Sequence, residues 1–262
     1  MDKSACIYCN QFFLITELSK EHIIPKALGG NLVLGSASCK NCAHVTSKIE
    51  RLILRGHWLG IRKKLGLKSQ HGGKQPQRIP ANLLRHNLKF AVEVNCNDCN
   101  FQLVFTLFRP EFFSKITNFG QRPFAKGVGI FFIGNFEGRL ILNEEQILMQ
   151  FTDRIEFKTA EFTTENFMSF LAKIAHSFAV KEKGQDCCKK FYLPSVILGD
   201  HTNSMVYMGS AADSFVFTNV KKIGFHNLEI ISIDSHLIVY IQLFSIEGWD
   251  KQPIYEVVVG SL

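Results

Sequence analysis

Cys6-x-x-Cys9 and Cys39-x-x-Cys42 are the residues whose type and spacing most directly specify chemistry in this chain. Four thiolates in two close pairs match tetrahedral zinc with every position filled, and a closed site of that kind is structural, not catalytic. Two disulfides are the alternative, but paired Cys-x-x-Cys spacings in a reducing compartment point to metal or redox chemistry. A third pair, Cys96-x-x-Cys99, is flanked by Asn95, Asn97, Asp98 and Asn100, which suggests a turn between two strands. Cys187-Cys188 could complete a second zinc site with it. Successive side chains diverge, however, so a lone knuckle or two unligated pairs is the preferred reading.

Between the first two cysteine pairs lie Lys20-Glu21-His22-Ile23-Ile24-Pro25 and then Leu28-Gly29-Gly30-Asn31-Leu32-Val33-Leu34. In this order the segment resembles the HNH endonucleases. Their ββα-metal, treble-clef module presents an acidic residue and His before an apolar pair and Pro. A Gly-Gly turn, an Asn-Leu-x-Leu strand and a Cys-x-x-Cys at a helix start follow. The resemblance covers residues 6–50. It implies that His22, with an unperturbed pKa of ~6.5, takes a proton from water to generate the nucleophile. It further implies that Glu21 ligates a catalytic Mg2+ or Mn2+ ion, and that Asn31 orients His22 by accepting its other N–H.

The chain departs from the pattern directly after the second cysteine pair, where the family carries Asn or His as a metal ligand and this sequence has Ala43. His44 follows, but one residue along a helix turns a side chain by ~100°. Either His44 is the second ligand or fewer protein groups hold the ion. Thr46-Ser47-Lys48-Ile49-Glu50, Leu171-Ala172-Lys173-Ile174-Ala175-His176 and Tyr255-Glu256-Val257-Val258-Val259-Gly260 are similar to one subgroup of bacterial HNH proteins, which would extend the resemblance over most of the chain.

The elements that must position these groups read as α+β: a small zinc-stapled ββα-metal module followed by a larger mixed α+β domain. The expected boundaries are 1–60 for the module, 61–89 for a basic linker or arm, and 90–262 for an accessory or substrate-recognition domain. Val45, Ile49, Leu52 and Ile53 recur at helical spacing over 43–55, with His44, Lys48, Arg51 and Arg55 along another stripe. Gly66, Gly72-Gly73, Pro76 and Pro80 interrupt a run bearing Arg62, Lys63, Lys64 and Lys68, which reads as a linker, a phosphate-tracking arm or a solvated loop. Strands are expected over 90–94, 101–108, 128–133, 139–142, 205–207, 214–217, 228–233, 237–244 and 255–259. One helix interrupts them. It is capped by Thr164, carries Phe167, Phe170, Leu171, Ile174, Ala175 and Phe178 on one face, and ends at Gly184. Lys173 and His176, one turn apart on it, read as a solvated face, with nucleic-acid contact as the alternative.

Residues 1–90 carry 15 Lys+Arg against 4 Asp+Glu, a charge of +11, whereas 91–262 carry 15 against 19, or −4. A front third this basic argues for a polyanionic partner, because each cation set against a phosphate releases counterions. Lys48, Arg51, Arg55, Arg62, Lys63 and Lys64 are the expected nucleic-acid contacts. No membrane span and no apolar secretion core is apparent, so the chain reads as cytoplasmic. The leading expectation is a metal-dependent endonuclease hydrolysing phosphodiesters, with double-stranded DNA favoured through the resemblance alone. One such site nicks, and cutting both strands needs a homodimer or a second encounter. The rivals are a zinc-finger nucleic-acid-binding protein that lost the catalytic ion and, more distantly, a Cys-x-x-Cys redox protein.

Overall fold

The computed structural model describes residues 2–55, 58–67, 77–86, 88–95, 101–113, 125–132, 139–142, 145–148, 154–157, 163–249 and 252–262. The front of the chain is built from two small hairpins and a helix. Strands β1 (Lys3–Ala5) and β2 (Phe12–Leu14) pair around the first cysteine pair. Strands β3 (Ser19–His22) and β4 (Val33–Ser38) pair antiparallel, with His22 opposite Val33 and Glu21 opposite Leu34. Helix α1 (Lys40–Arg55) starts at the second cysteine pair and buries Cys42, Thr46, Ile49 and Ile53, the spacing of one helical face.

The turn between β3 and β4 depends on its two glycines. Gly29 sits at φ +84°, a left-handed conformation that side chains disfavour, and a Cβ on Gly30 would lie 2.0 Å from the Ile24 carbonyl oxygen. Both positions are therefore closed to larger residues, and the hairpin brings His22 back beside the start of α1.

Helix α2 (Leu59–Lys64) and strand β5 (Arg78–Arg85) take up the two ends of the linker or arm expected over 61–89, and its middle, 68–76, lies outside the described residues. β5 pairs with β6 (Leu88–Asn95), and β7 (Phe101–Leu107) pairs with β8 (Ala125–Phe132). Strands β9 (Arg139–Leu142), β10 (Glu145–Leu148) and β11 (Arg154–Phe157) complete a sheet of order β10-β9-β6-β5-β11. The strands expected over 90–94 and 139–142 lie in these elements, and those expected over 101–108 and 128–133 do so up to residues 107 and 132, with residue 133 outside the described residues.

Helix α3 (Thr164–Lys183) organises the rest. Its cap is Thr163, one residue before the expected Thr164, whose Oγ1 accepts from Asn166 N at 3.2 Å; Gly184 ends it. Every residue from Phe167 to Val180 is buried, so the helix has no solvated face, and the reading of Lys173 and His176 as surface groups is corrected. It packs on α1 and on the sheet that follows. That sheet contains β12 (Lys190–Phe191), β13 (Met208–Ser210), β14 (Lys221–Ile223), β15 (His226–Ile233), β16 (His236–Gln242) and β17 (Ile254–Ser261), in order β12-β17-β16-β15-β14 with β13 also on β17. Helices α4 (Leu193–Ile197) and α5 (Ser204–Tyr207) lie in the connections. Two expected strands are corrected: 205–207 forms α5, and 214–217 is irregular, with Phe215 stacked on Tyr240 at 3.7 Å between ring centroids. Among the described residues no helix is long and apolar enough to cross a membrane.

Among the described residues one large apolar cluster draws its members from Cys6 through to Val259. Trp58, just beyond α1, is fully buried and meets Phe167, Phe170 and Phe244 edge-on at 6.2, 5.5 and 5.3 Å. It thus joins the module to α3 and the rear sheet through large apolar contacts. Trp58→Ala is expected to cost about 3–5 kcal/mol of stability in urea denaturation; a loss under about 1 kcal/mol would contradict this junction.

Candidate active site and zinc cluster

The zinc cluster follows from two tight turns. Asn10 adopts φ +56° and its N–H bonds the Cys6 carbonyl at 2.9 Å, folding Cys6 to Cys9 into a knuckle. The Ile7 N–H donates to Ala37 O at 2.9 Å, which holds that knuckle against the end of β4. Cys39 and Cys42 enter from the start of α1, and the Cys39 N–H donates to Cys6 Sγ at 3.3 Å. The four sulfurs lie within 4.8 Å of one another, and Cys9 Sγ and Cys39 Sγ are 3.9 Å apart, too far for a disulfide. Tetrahedral zinc with Zn–S of about 2.3 Å requires such a spread, so the four cysteines can hold a structural metal such as zinc. The redox reading needs one pair acting alone, whereas the two pairs converge here. Cys187 and Cys188 are half-buried free thiols beyond α3, and Cys96 and Cys99 lie outside the described residues.

Beside this cluster a cleft of about 480 Å³ opens between β3 and α1, lined by Ser19, Lys20, Glu21, His22, Lys26, Ala43, Thr46, Ser47 and Glu50. Its helical wall has the spacing of one α-helical face: Ala43, Thr46, Ser47, Glu50. His22 is half-buried at the end of β3. Burial first, then the charges of Lys173 and Lys20, pushes its pKa below the ordinary histidine value, against the pull of Glu50 and Glu21. The ring is accordingly neutral at neutral pH.

Glu21, the residue before His22 on β3, also lines the cleft and is buried. Its Oε1 is 2.8 Å from Lys173 Nζ, which also lies 2.9 Å from Glu50 Oε1. The ammonium donates as well to the backbone carbonyls of His22 and, at 3.3 Å, Ile23. Burial alone would push the Lys173 pKa down; Glu50 and Glu21 more than reverse this, so it stays charged. Tyr8 lies close by, its phenol held protonated by burial and by Glu21. Three further buried groups grip the module's backbone. His176 Nε2 bonds Ile7 O at 2.6 Å, His226 Nε2 bonds Leu28 O at 2.9 Å, and Arg62 Nε donates to Ala27 O at 2.9 Å.

Several expected roles change as a result. Arg62 is buried, with a second bond from Nη1 to Leu54 O at 3.0 Å, so it braces the module and does not face phosphate. Lys63 is half-buried and donates to Gln77 Oε1 at 3.0 Å, whereas Lys48, Arg51, Arg55 and Lys64 are exposed. Asn31 is exposed, and among the described residues no hydrogen bond joins it to His22. His44 is exposed and absent from the cleft lining, as the turn per helical residue requires; Ala43 occupies the cleft instead. Glu21 spends its carboxylate on Lys173. The donor set implied for a catalytic Mg2+ or Mn2+ ion therefore does not assemble, and among the described residues no other group of three such donors comes as close as the four cysteines. Sequence reasoning missed Glu50, which the spacing from Ala43 could have placed in the cleft, and Lys173, which no local signal marks.

Residues 6–53 match a family model described as HNH endonuclease. The four-cysteine cluster is consistent with a zinc-binding HNH module over this segment, and the match suggests nuclease activity or nucleic-acid binding. No curated protein and no solved structure matches the chain. Metal analysis of the purified chain is expected to find zinc, with Cys39→Ser losing one equivalent and melting at a lower temperature; a variant that kept the full zinc content would overturn the ligand assignment.

Proposed function

We propose that the module hydrolyses phosphodiester bonds in nucleic acid, with His22 as general base. The observation that supports this reading is a neutral, half-exposed imidazole at the rim of a cleft lined by Lys20 and Lys26, within the segment that matches the HNH model. The neutral ring accepts a proton from water as the oxygen attacks phosphorus; the bond from phosphorus to the leaving sugar oxygen breaks, that oxygen takes a proton from solvent, and the lysines stand ready for the charge growing on the phosphate oxygens. Ser47, exposed on the helical wall, offers a hydroxyl to the same backbone. The donors for a magnesium or manganese ion do not converge, so the charge on the phosphate falls to Lys20 and Lys26 of the cleft.

Double-stranded DNA is the proposed substrate and the cytoplasm the proposed setting. The exposed stripe of Lys48, Arg51 and Arg55 extends the basic surface along α1, and the rear α+β part selects the substrate. One site per chain nicks a single strand. A homodimer would cut both.

A second reading, a zinc-stapled module that binds nucleic acid without cutting, is favoured by Ala43, which has no donor atom, and by the ammonium beside Glu21. Supercoiled plasmid, with structured RNA in parallel, separates the two when incubated with and without magnesium or manganese. Nicked plasmid is expected, with His22→Ala slower by on the order of 10²-fold or more. The wild-type rate should rise with pH and level off, its inflection below the ordinary histidine value, because the base form is active and its pKa is lowered. Salt-sensitive binding with intact plasmid and RNA would establish the non-cutting reading, and undiminished cleavage by His22→Ala would remove His22 from the mechanism.

A further inference from the structure

Lys173 reaches the site from a helix some 150 residues away in sequence, yet every group around its ammonium belongs to the module. Glu21 comes from β3, Glu50 from α1, and the two carbonyls from His22 and Ile23 at the end of β3. The lysine side chain is only 1 % exposed, against 8 % for Glu21 and 23 % for Glu50. Two carboxylates converging on one partly buried point repel each other unless a cation stands between them. In this chain the cation is covalently part of the fold.

We infer that Lys173 is a positioning residue that takes the place of a divalent ion at Glu21, fixing the peptide groups that carry the His22 imidazole and closing the carboxylate pair to metal. The inference rests on reading His22 as the base. Three features of the geometry support it. The ammonium meets one oxygen of Glu21, one of Glu50 and two backbone carbonyl oxygens, so a divalent ion drawn to that carboxylate pair would have to displace a charge already seated between them. Its contacts to the carbonyls of residues 22 and 23 fix the backbone from which the imidazole projects, so the ring's direction is set from below. Ala43, which faces the cleft, contributes no competing ligand. The charged groups facing His22 are Lys173 from α3, Lys20 and Glu21 from β3, and Glu50 from α1, with Lys26 on the same cleft.

The test uses the zinc-loaded full-length chain and reads the His22 ring by NMR, its signals assigned by their loss in His22→Gln. Manganese(II) alone is the probe. In the wild type an equimolar addition is expected to leave the His22 signals sharp, and the ring should titrate below the ordinary histidine value. Lys173→Met leaves Glu21 and Glu50 without a counter-ion; there the midpoint should rise by about one pH unit, and equimolar manganese should broaden the ring signals. Lys173→Arg, which keeps the charge, should retain the low midpoint. Should Lys173→Met fail to fold, the triple variant Lys173→Met, Glu21→Gln, Glu50→Gln removes all three charges, and sharp signals with manganese are expected from it.

Broadening in the wild type at equimolar manganese would overturn the inference without any variant, since the carboxylates would then be open to metal. An unmoved midpoint in folded Lys173→Met would overturn it as well. These readouts do not depend on cleavage. Intact plasmid alongside the expected NMR behaviour would remove the nuclease reading and leave Lys173 as the cation of the site.

Discussion

A buried charge must be matched where it stands, and the Lys173 ammonium with the Glu21 and Glu50 carboxylates is the point at which the two ends of this chain meet that requirement. Removing one ion from water costs several kcal/mol, and taking away one member of a buried pair costs about 3–5 kcal/mol because the other is left uncompensated. None of the three groups is therefore stable in its position without the others. Helix α3 must be docked before β3 and α1 can hold their carboxylates side by side, and the docking is what buries them. Around that centre His176 and His226, both held neutral by burial with pKa values pushed down to about 4, cap carbonyls of the knuckle and of the glycine turn. A zinc-stapled segment of some fifty residues has too little interior to satisfy such groups alone.

The same arrangement sets the chemistry of the cleft. Burial, followed by the charges of Lys173 and Lys20, pushes the His22 pKa down, and Glu50 and Glu21 pull against it. Coulomb interactions near a protein surface amount to about 4 kcal/mol at 4 Å with an effective dielectric constant of 20. Changes in which carboxylate is paired would therefore be felt at the ring. The charge excess of the front third is likewise divided by the fold. Arg62 is drawn into the interior as a brace, while Lys20, Lys26, Lys48, Arg51 and Arg55 remain on or beside the cleft and the outer stripe of α1.

Local pattern carried the reading a considerable distance. The two cysteine pairs, the order of hairpin and helix, the glycine turn and most rear strands are properties of neighbouring residues, and each appears in the fold near its expected place. Where the reading failed, the deciding partner lay far along the chain. Residues 205–207 have β-type composition but form a helical turn, and Phe215 satisfies its ring by stacking on Tyr240 instead of joining a ladder. His44 follows Ala43 directly, yet helical geometry turns it away from the cleft and brings Glu50 round instead.

The amino-acid sequence by itself determined the two cysteine pairs that can hold a structural metal, the HNH-like order of β3, β4 and α1, and the presence of a basic surface, because spacing and side-chain chemistry over a few residues suffice for each. Only the tertiary structure decided which charges face water and which are spent inside. Lys173, Arg62 and His176 look in sequence like any surface cations or helix-face imidazoles, and their burial depends on carbonyls and carboxylates brought to them from up to about 170 residues away. Periodicity records which face of a helix is apolar. It holds no record of a counter-ion that arrives only when the chain has folded.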